Sequence, residues 1–411
     1  MPVRKRGKGG KGSWEIYLDT GLDPVTGKRL RHYETFRGSP KLAKLRLAEL
    51  KLNVAQNTYV KSDRLTVAQF LKEWLQDYVT TNTAPRTSER YQEIVRVHLI
   101  PALGSLPLLS LRPHHIQKYY SQAIESGRRD GKGGLSALTV HKHHRILYES
   151  LRHGVRQGIL VHNPAEAVTP PHGHSKELTI IGATRLQLIL EAAKESPYYA
   201  LFFMIAYTGV RRGEALGLRW GDIDLEKATL SVVQTLQQLR NGEYIFREPK
   251  SKHGRRQIAL SPSLAIGLWE YRLKQEQARR LLGKPLAPTD LVFSHPDGRP
   301  LRPNTVSRAL QEIARSIGLK GVRLHDLRHA HATVLLQQGV HPKIVQERLG
   351  HSSVATTLDT YSHVTPGLQE AAARRFDEGL ESPLTEAQVA EVLERNGGKM
   401  VANLFPGEGL G

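Results

Sequence analysis

The chain has 411 residues, 39% of them hydrophobic, and carries 59 Lys and Arg against 39 Asp and Glu, a formal charge of +20. It contains no cysteine, which excludes disulfides, thiolate nucleophiles, iron–sulfur clusters and cysteine-ligated zinc. No apolar run approaches the roughly 18 residues that a membrane helix needs. The basic N-terminus leads into no apolar stretch, so no secretory signal is expected. The length suggests about two to four domains. A cationic surplus of this size attracts polyanions, nucleic acid first among them. An anionic membrane surface is the rival, and no strongly amphipathic basic helix serves it.

Residues 1–61 are the most lopsided, with 14 Lys and Arg against 5 Asp and Glu. Lys5 to Ser13 is rich in Gly and Lys and is expected to be flexible. Trp14 to Leu18 and Arg29 to Phe36 alternate apolar with other residues, as strands do, around a turn at Asp23–Lys28. A helix is predicted from Ser39-Pro40 to about Asn57, with Leu42, Leu45, Ala48, Leu52 and Ala55 as its apolar stripe. A small basic sheet on one helix suits a DNA groove. Residues 62–64 read as a linker. Val67, Phe70, Leu71, Trp74 and Leu75 then form one helical stripe. Further helices are predicted near 86–99, 112–126 and 136–157, with Pro101, Pro107 and Pro113 in the connections. Asn163-Pro164 and Pro170-Pro171 close this helical block.

From Leu178 the pattern is mixed. Helices are predicted at 183–195, 198–207 and 211–217. Strands are predicted at 228–234, 243–248 and 256–260, the last two joined as a hairpin by the basic turn Lys250–Arg255. Helices follow near 262–281, 303–317, 326–338 and 341–349. One more candidate lies near 385–395, before a Gly-rich end.

Four segments hold unusual residues. In Thr208-Gly209-Val210-Arg211, Gly209 can end one helix and place Arg211 at the start of the next, where an Arg fork and a helix N-terminus together attract an anion. Pro249 to Arg256 is a basic turn. Leu324-His325-Asp326-Leu327-Arg328-His329 sets His325 and Arg328 three apart on one helix. Zinc held by His325 and His329 is disfavoured, because Asp326 stands where a zinc protease needs Glu and Arg328 would sit beside the metal. Leu349-Gly350-His351 is followed ten residues after the His by Tyr361. Each segment alone has an ordinary structural reading. Together, Arg211, Lys252, His325, Arg328, His351 and Tyr361 supply two guanidiniums, an ammonium, two imidazoles and a phenol. That set suits a phosphodiester: cations for the non-bridging oxygens, imidazoles for protons near pH 7, and a phenol as nucleophile. No acidic cluster stands ready for paired magnesium ions, and Lys8–Ser13 does not match a phosphate-binding P-loop.

In order and spacing, TGVRRGEALGL, SKHGRR, LHDLRHAHAT and LGHSSVATTLDTYSHV match the signature segments of the tyrosine recombinases, the phage integrase family, which the chain resembles most closely over about 178–375. The resemblance implies a multidomain, mainly α fold with an α+β catalytic domain. Residues 1–61 would be a three-stranded sheet plus helix binding arm-type sites, and 62–170 a helical, SAM-like domain binding core sites. Residues 175–375 would be the catalytic domain and 376–411 a tail. It implies Tyr361 as the nucleophile that forms a 3′-phosphotyrosyl link, Arg211 and Arg328 as the phosphate clamp, and Lys252 as general acid. His325 would assist proton transfer, His351 would hydrogen-bond the phosphate, and Glu214 would support the site. It implies double-stranded DNA as partner, a homo-tetramer exchanging strands through a Holliday junction, and an excisionase or DNA-bending protein as accessory. No cofactor, metal or membrane is expected, and the protein would be cytoplasmic and nucleoid-associated when DNA-bound. Two other readings remain: a catalytically silent DNA-binding regulator, opposed by the complete residue set, and a type IB topoisomerase, opposed by the N-terminal segment.

Overall fold

A computed structural model describes residues 3–5, 12–22, 29–55, 65–173, 181–249 and 252–361, with residues 373, 375, 376 and 380. The predicted turn at 23–28, the linker at 62–64 and the tail helix near 385–395 lie outside the described residues. The chain divides into two compact units, Met1–Glu177 with Leu239–Asn241, and Leu178–Gln238 with Gly242–Gly411.

In the first unit, β1 (Val3–Lys5), β2 (Ser13–Leu22) and β3 (Arg29–Arg37) form an antiparallel sheet in the order β1-β2-β3. Of the segment Lys5–Ser13, expected to be flexible, Lys5 pairs with Trp14 and Ser13 with Arg37, while residues 6–11 lie outside the described residues. Ile16 and Leu18 point inward at 0% and 6% exposure, against Leu47 and Leu50 of helix Pro40–Ala55. The alternate residues point outward. Tyr17 and Tyr33 pair across strands with ring centroids 5.5 Å apart, and Arg31 lies 5.9 Å over Tyr17.

The predicted helical stripe is corrected here. Leu42, Leu45 and Leu52 are 52%, 58% and 56% exposed, and Ala48 is exposed too; Ala43, Leu47 and Leu50 face the sheet. The Ala55 side chain lies outside the description. Both sets have helical spacing. What selects between them is the exit from β3, where Gly38 N donates to Gly12 O at 2.6 Å and Trp14 Nε1 donates to Gly38 O at 2.9 Å. These bonds set the angle at which the helix meets the sheet.

A separate helical core follows. Helix Val67–Glu73 opens with a reciprocal cap: Gln69 N donates to Thr66 Oγ1 and Thr66 N to Gln69 Oε1. Such a cap satisfies two backbone donors that a helix start leaves open. Wide π turns at Trp74–Val79 and Val95–Leu99 extend two of the helices. The helix predicted to stop near 99 runs on through Ile100–Leu103, with Pro101 inside it directly after the π turn Val95–Leu99. Helices Pro113–Ser126 and Ala137–Arg156 are joined by Tyr119 to His143 and Tyr120 to His144, each 2.7 Å.

In the second unit, helices Tyr199–Thr208 and Leu324–Gln337 pack on each other through the main core. Around them β4 (Ile223–Asp224), β5 (Thr229–Val232) and β8 (Arg256–Ala259) form one antiparallel sheet, and β6 (Thr235–Gln238) pairs with β7 (Tyr244–Arg247) in another. The strand predicted at 228–234 contains β5, and β6 follows as a strand that the sequence reading did not mark. One expectation is overturned: the strands at 243–248 and 256–260 do not form a hairpin. β7 pairs back onto β6, while β8 pairs with β5. Pro249, with no N–H to donate, ends β7, and the chain passes through the single turn Lys252–Gly254 into the other sheet. Helices Pro342–Leu349 and Val354–Tyr361 pack together at the C-terminal end.

Candidate active site

Two glycines shape the site. Gly209 ends helix Tyr199–Thr208 at φ 68°, and Gly350 ends helix Pro342–Leu349 at φ 69°. Both conformations lie in the left-handed region that favours glycine. Neither position has room for a side chain. A Cβ at 209 would lie 2.6 Å from Leu349 and 2.8 Å from His331, and one at 350 would lie 2.9 Å from both His253 O and Arg256. The corner at Gly350 therefore brings the Lys252–Gly254 turn beside the start of the segment that leads to His351.

Arg211 caps the helix Arg212–Gly217. Glu214, one turn in, accepts the Arg211 backbone N–H at 2.9 Å and its Nη1 at 2.8 Å. The other end of the Arg211 fork donates to Gly350 O at 3.1 Å. Glu214 is 5% exposed, and burial pushes its carboxyl up, but Arg256 and Arg211 outweigh this and hold it below the ordinary value. Glu214 is thus a buried anion with Arg256 Nη2 at 2.9 Å on its other oxygen.

Arg328 is 2% exposed and donates to Gly209 O and, at 2.8 Å, to Leu349 O. It forms the floor of the site, whereas the Arg211 side chain, 41% exposed, forms its wall. His325 precedes Arg328 by one helical turn, with its ring at the surface in an edge contact to His329, centroids 4.7 Å apart. His351 is half-buried and bonds Thr357 Oγ1 through Nδ1 at 2.9 Å. Desolvation first, then the charges of His329, Arg328 and Arg211 against the opposing Asp326, pushes His325 down to about 4; desolvation, then Arg328, Arg211, His329 and Arg256, pushes His351 down to about 4 as well. The two imidazoles are neutral at pH 7 in a cationic surrounding, a site short of an anion.

Arg211, Glu214, His325, Arg328 and His351 come together from three segments: helix Arg212–Gly217 with its cap, helix Leu324–Gln337, and the residues after Gly350. Lys252 opens its turn and Tyr361 closes helix Val354–Tyr361; for these two the backbone alone is described. Thr357, fully buried and one helical turn before Tyr361, ties that helix to His351. Among the described residues no group of three or more His, Cys, Asp or Glu could hold a metal ion, and no helix is long and apolar enough to cross a membrane.

Three residues beneath the site escape sequence reading. Arg256 donates to Gly254 O at 3.0 Å and Arg348 O at 2.7 Å in addition to Glu214. Arg348 donates to Ala259 O, Tyr207 O and His331 Nε2, at 3.0, 2.9 and 3.0 Å. His331 meets Ala206 O through Nδ1 at 2.9 Å. A carbonyl can only accept and a guanidinium can only donate, so His331 is the neutral tautomer with hydrogen on Nδ1. Arg256 sits in the quoted SKHGRR segment, but nothing there separates it from Arg255. His331 sits in the quoted LHDLRHAHAT segment, where nothing separates it from His329, and Arg348 carries no local signal.

Comparison with known proteins places these features. Residues 181–367 match the phage integrase family, and residues 66–123 match the phage integrase N-terminal SAM-like domain. A "Tyrosine recombinase XerC-like" protein of Caldanaerobacter subterraneus subsp. tengcongensis is 26% identical over 87% of this chain and 94% of its own. The ICEBs1 integrase of Bacillus subtilis is 24% identical over 89% and 97%. Among solved structures, the Tn1549 transposon integrase in complex with a circular intermediate DNA has a TM-score of 0.64 at 20% identity. The match covers 76% of this chain and 99% of that one. A lambda integrase tetramer bound to a Holliday junction has a TM-score of 0.52 at 19% identity, over 86% and 96%. At these identities the structural likenesses speak to the fold.

Proposed function

Since the chain belongs to the phage integrase family of tyrosine recombinases, we propose that Arg211, Lys252, His325, Arg328, His351 and Tyr361 carry its site-specific recombination of DNA, with Glu214 in support. The observation that carries this reading is the gathering of Arg211, His325, Arg328 and His351 around the Gly209 and Gly350 corners. Two guanidinium charges and two neutral imidazoles stand there with one buried carboxylate already spent on Arg211 and Arg256. A phosphodiester supplies the anion this set lacks.

In the first step the Tyr361 hydroxyl oxygen bonds the scissile phosphorus as the bond to the 5′-oxygen breaks. Tyr361 gives up its proton with help from His325, and Lys252 protonates the leaving 5′-oxygen. Arg211, from the wall, and Arg328, from the floor, offset the extra charge of the five-coordinate phosphorus, while His351 donates to a phosphate oxygen. The phosphotyrosyl link conserves the bond energy, so the 5′-hydroxyl of another strand reverses the step without ATP. Carried out by four protomers, this exchange passes through a Holliday junction and integrates or excises a mobile element.

The domain reading belongs to the same proposal. Residues 62–170 bind the core site, residues 175–375 cut it, residues 1–61 bind arm-type sites, and residues 376–411 form a tail. The outward Tyr17, Arg31 and Tyr33 of the small sheet support the third of these, because a basic, aromatic strand face suits a groove. An excisionase or DNA-bending protein completes the assembly, and the protein works in the cytoplasm on nucleoid DNA.

The test is a nicked substrate that carries the element's attachment core and traps the covalent complex. Wild-type protein yields a slow band on a denaturing gel and Tyr361→Phe yields none while binding the same DNA. A band of equal strength with Tyr361→Phe would move the nucleophile elsewhere.

A further inference from the structure

We propose that Arg256 is a positioning residue for strand cleavage: it sets the turn that carries Lys252 against the phosphate clamp, and so governs protonation of the leaving 5′-oxygen. This rests on the reading of Lys252 as general acid.

The argument begins with the three acceptors that one planar guanidinium serves. Arg256 Nη1 reaches Gly254 O in the turn, Nη2 reaches Glu214, and Nε reaches Arg348 O. The side chain is 6% exposed, so these bonds are shielded from water, and a rigid fork holds its acceptors in fixed mutual geometry. Gly254 is two residues after Lys252, and Glu214 is the carboxylate that orients Arg211. One side chain thus measures the distance between the acid's turn and the clamp.

Arg348 completes the device. Arg256 donates from the start of β8 to the Arg348 carbonyl, and Arg348 donates to Ala259 O at the end of β8. The strand is bound at both ends to helix Pro342–Leu349, which leads into Gly350 and His351. Arg348 also reaches Tyr207 O and His331, on the two helices that carry Gly209 and Arg328. A buried guanidinium–carboxylate pair beside a second, half-buried guanidinium is an expensive way to gain stability, since apolar residues of equal volume serve as well or better. What the pair supplies is registry. The turn itself is one 3₁₀ turn packed beside the Gly350 corner, where a Cβ would lie 2.9 Å from His253 O, and a strand of four residues gives it little further support.

The experiment uses the full chain and a nicked attachment-core substrate in two forms, one with the ordinary bridging 5′-oxygen and one with sulfur in its place. A thiolate leaves without a proton, so the sulfur form removes the need for the general acid. Arg256→Lys keeps a cation beside Glu214 but loses the fork. It is expected to slow cleavage of the oxygen substrate at least about tenfold, with DNA affinity within about twofold of wild type, and to return to within about threefold of wild type on the sulfur substrate. Lys252→Ala, run beside it, is expected to show the same rescue. Rescue of Lys252→Ala without rescue of Arg256→Lys overturns the positioning role alone, as does an Arg256→Lys variant as fast as wild type on oxygen. No rescue of Lys252→Ala overturns the reading of Lys252 and this inference with it. If Arg256→Lys does not fold, Arg256→Gln, which leaves Glu214 with Arg211, goes through the same comparison.

Discussion

Glu214 shows how one buried carboxylate organises a cationic site. Its two oxygens serve Arg211 and Arg256 at 2.8–2.9 Å, and removing one partner of a buried ionic group leaves the others uncompensated. Glu214→Gln is expected to cost about 3 kcal/mol in urea denaturation and to lower cleavage more than DNA binding. His331 makes a second prediction, on pH. Burial first, and Arg348 next, push it down to about 3, from 6.5 in the unfolded chain. Between those values the unfolded chain takes up a proton that the folded one refuses. Stability is therefore full above about pH 6.5 and falls as the pH drops, by on the order of 2 kcal/mol at pH 5 from this residue. His331→Gln retains an acceptor for Arg348 and a donor for Ala206 O without titrating. Its stability is expected to vary less between pH 7.5 and 5; a slope equal to the wild type's would refute the assignment.

At the scale of elements, the corners matter more than the elements they join. Gly350→Ala forces φ near 69° on a residue with a Cβ and drives that carbon against His253 O and Arg256. The expected cost is roughly 1–3 kcal/mol in thermal or chemical unfolding, with a loss of cleavage beyond it, because His351 and the Lys252 turn both take their place from this corner. The N-terminal helix offers a contrast between two leucines. Leu47 is 8% exposed against the sheet and Leu45 is 58% exposed. Leu47→Ala is expected to cost about 2–4 kcal/mol and Leu45→Ala less than about 0.5 kcal/mol, read from hydrogen exchange of the strand amides. A reversal would restore the stripe that periodicity selected. Leucine spacing allows two faces, and the bonds that tie Gly38, just before the helix, to Gly12 and to Trp14, 24 positions earlier in the chain, decide between them.

At the scale of the molecule, charge governs encounter with DNA. The surplus of +20 predicts that affinity falls steeply and linearly in logarithmic plots as salt rises, through release of counterions. Deleting residues 1–61, which hold 14 of the 59 Lys and Arg, is expected to reduce that slope on DNA carrying arm and core sites together, and to leave it nearly unchanged on the core alone. Filter binding across a salt series checks both. An equal loss of slope on the two DNAs would remove the distinction between arm and core binding.

The family, and with it the recombination chemistry, was legible in the sequence because its signature segments are local strings: TGVRR, LHDLRH and LGH keep their chemistry within a few neighbouring residues. Gly209 and Gly350 could be read the same way, since a helix end that needs positive φ calls for glycine wherever it occurs. The helices were legible for a related reason, that a 3.6-residue period survives in one dimension. Tertiary structure alone decided the rest. Strand pairing joined β5 to β8, past the intervening β6 and β7 and against sequence adjacency, because hydrogen-bonding edges meet in space. Arg328 went to the floor and Arg211 to the wall, although both read as arginines on a helix. The ties of Arg256, Arg348 and His331 span from 2 to 141 positions along the chain. A bond between residues so far apart leaves no pattern in the string, because its energy depends on distance through space and the sequence records only distance along the chain.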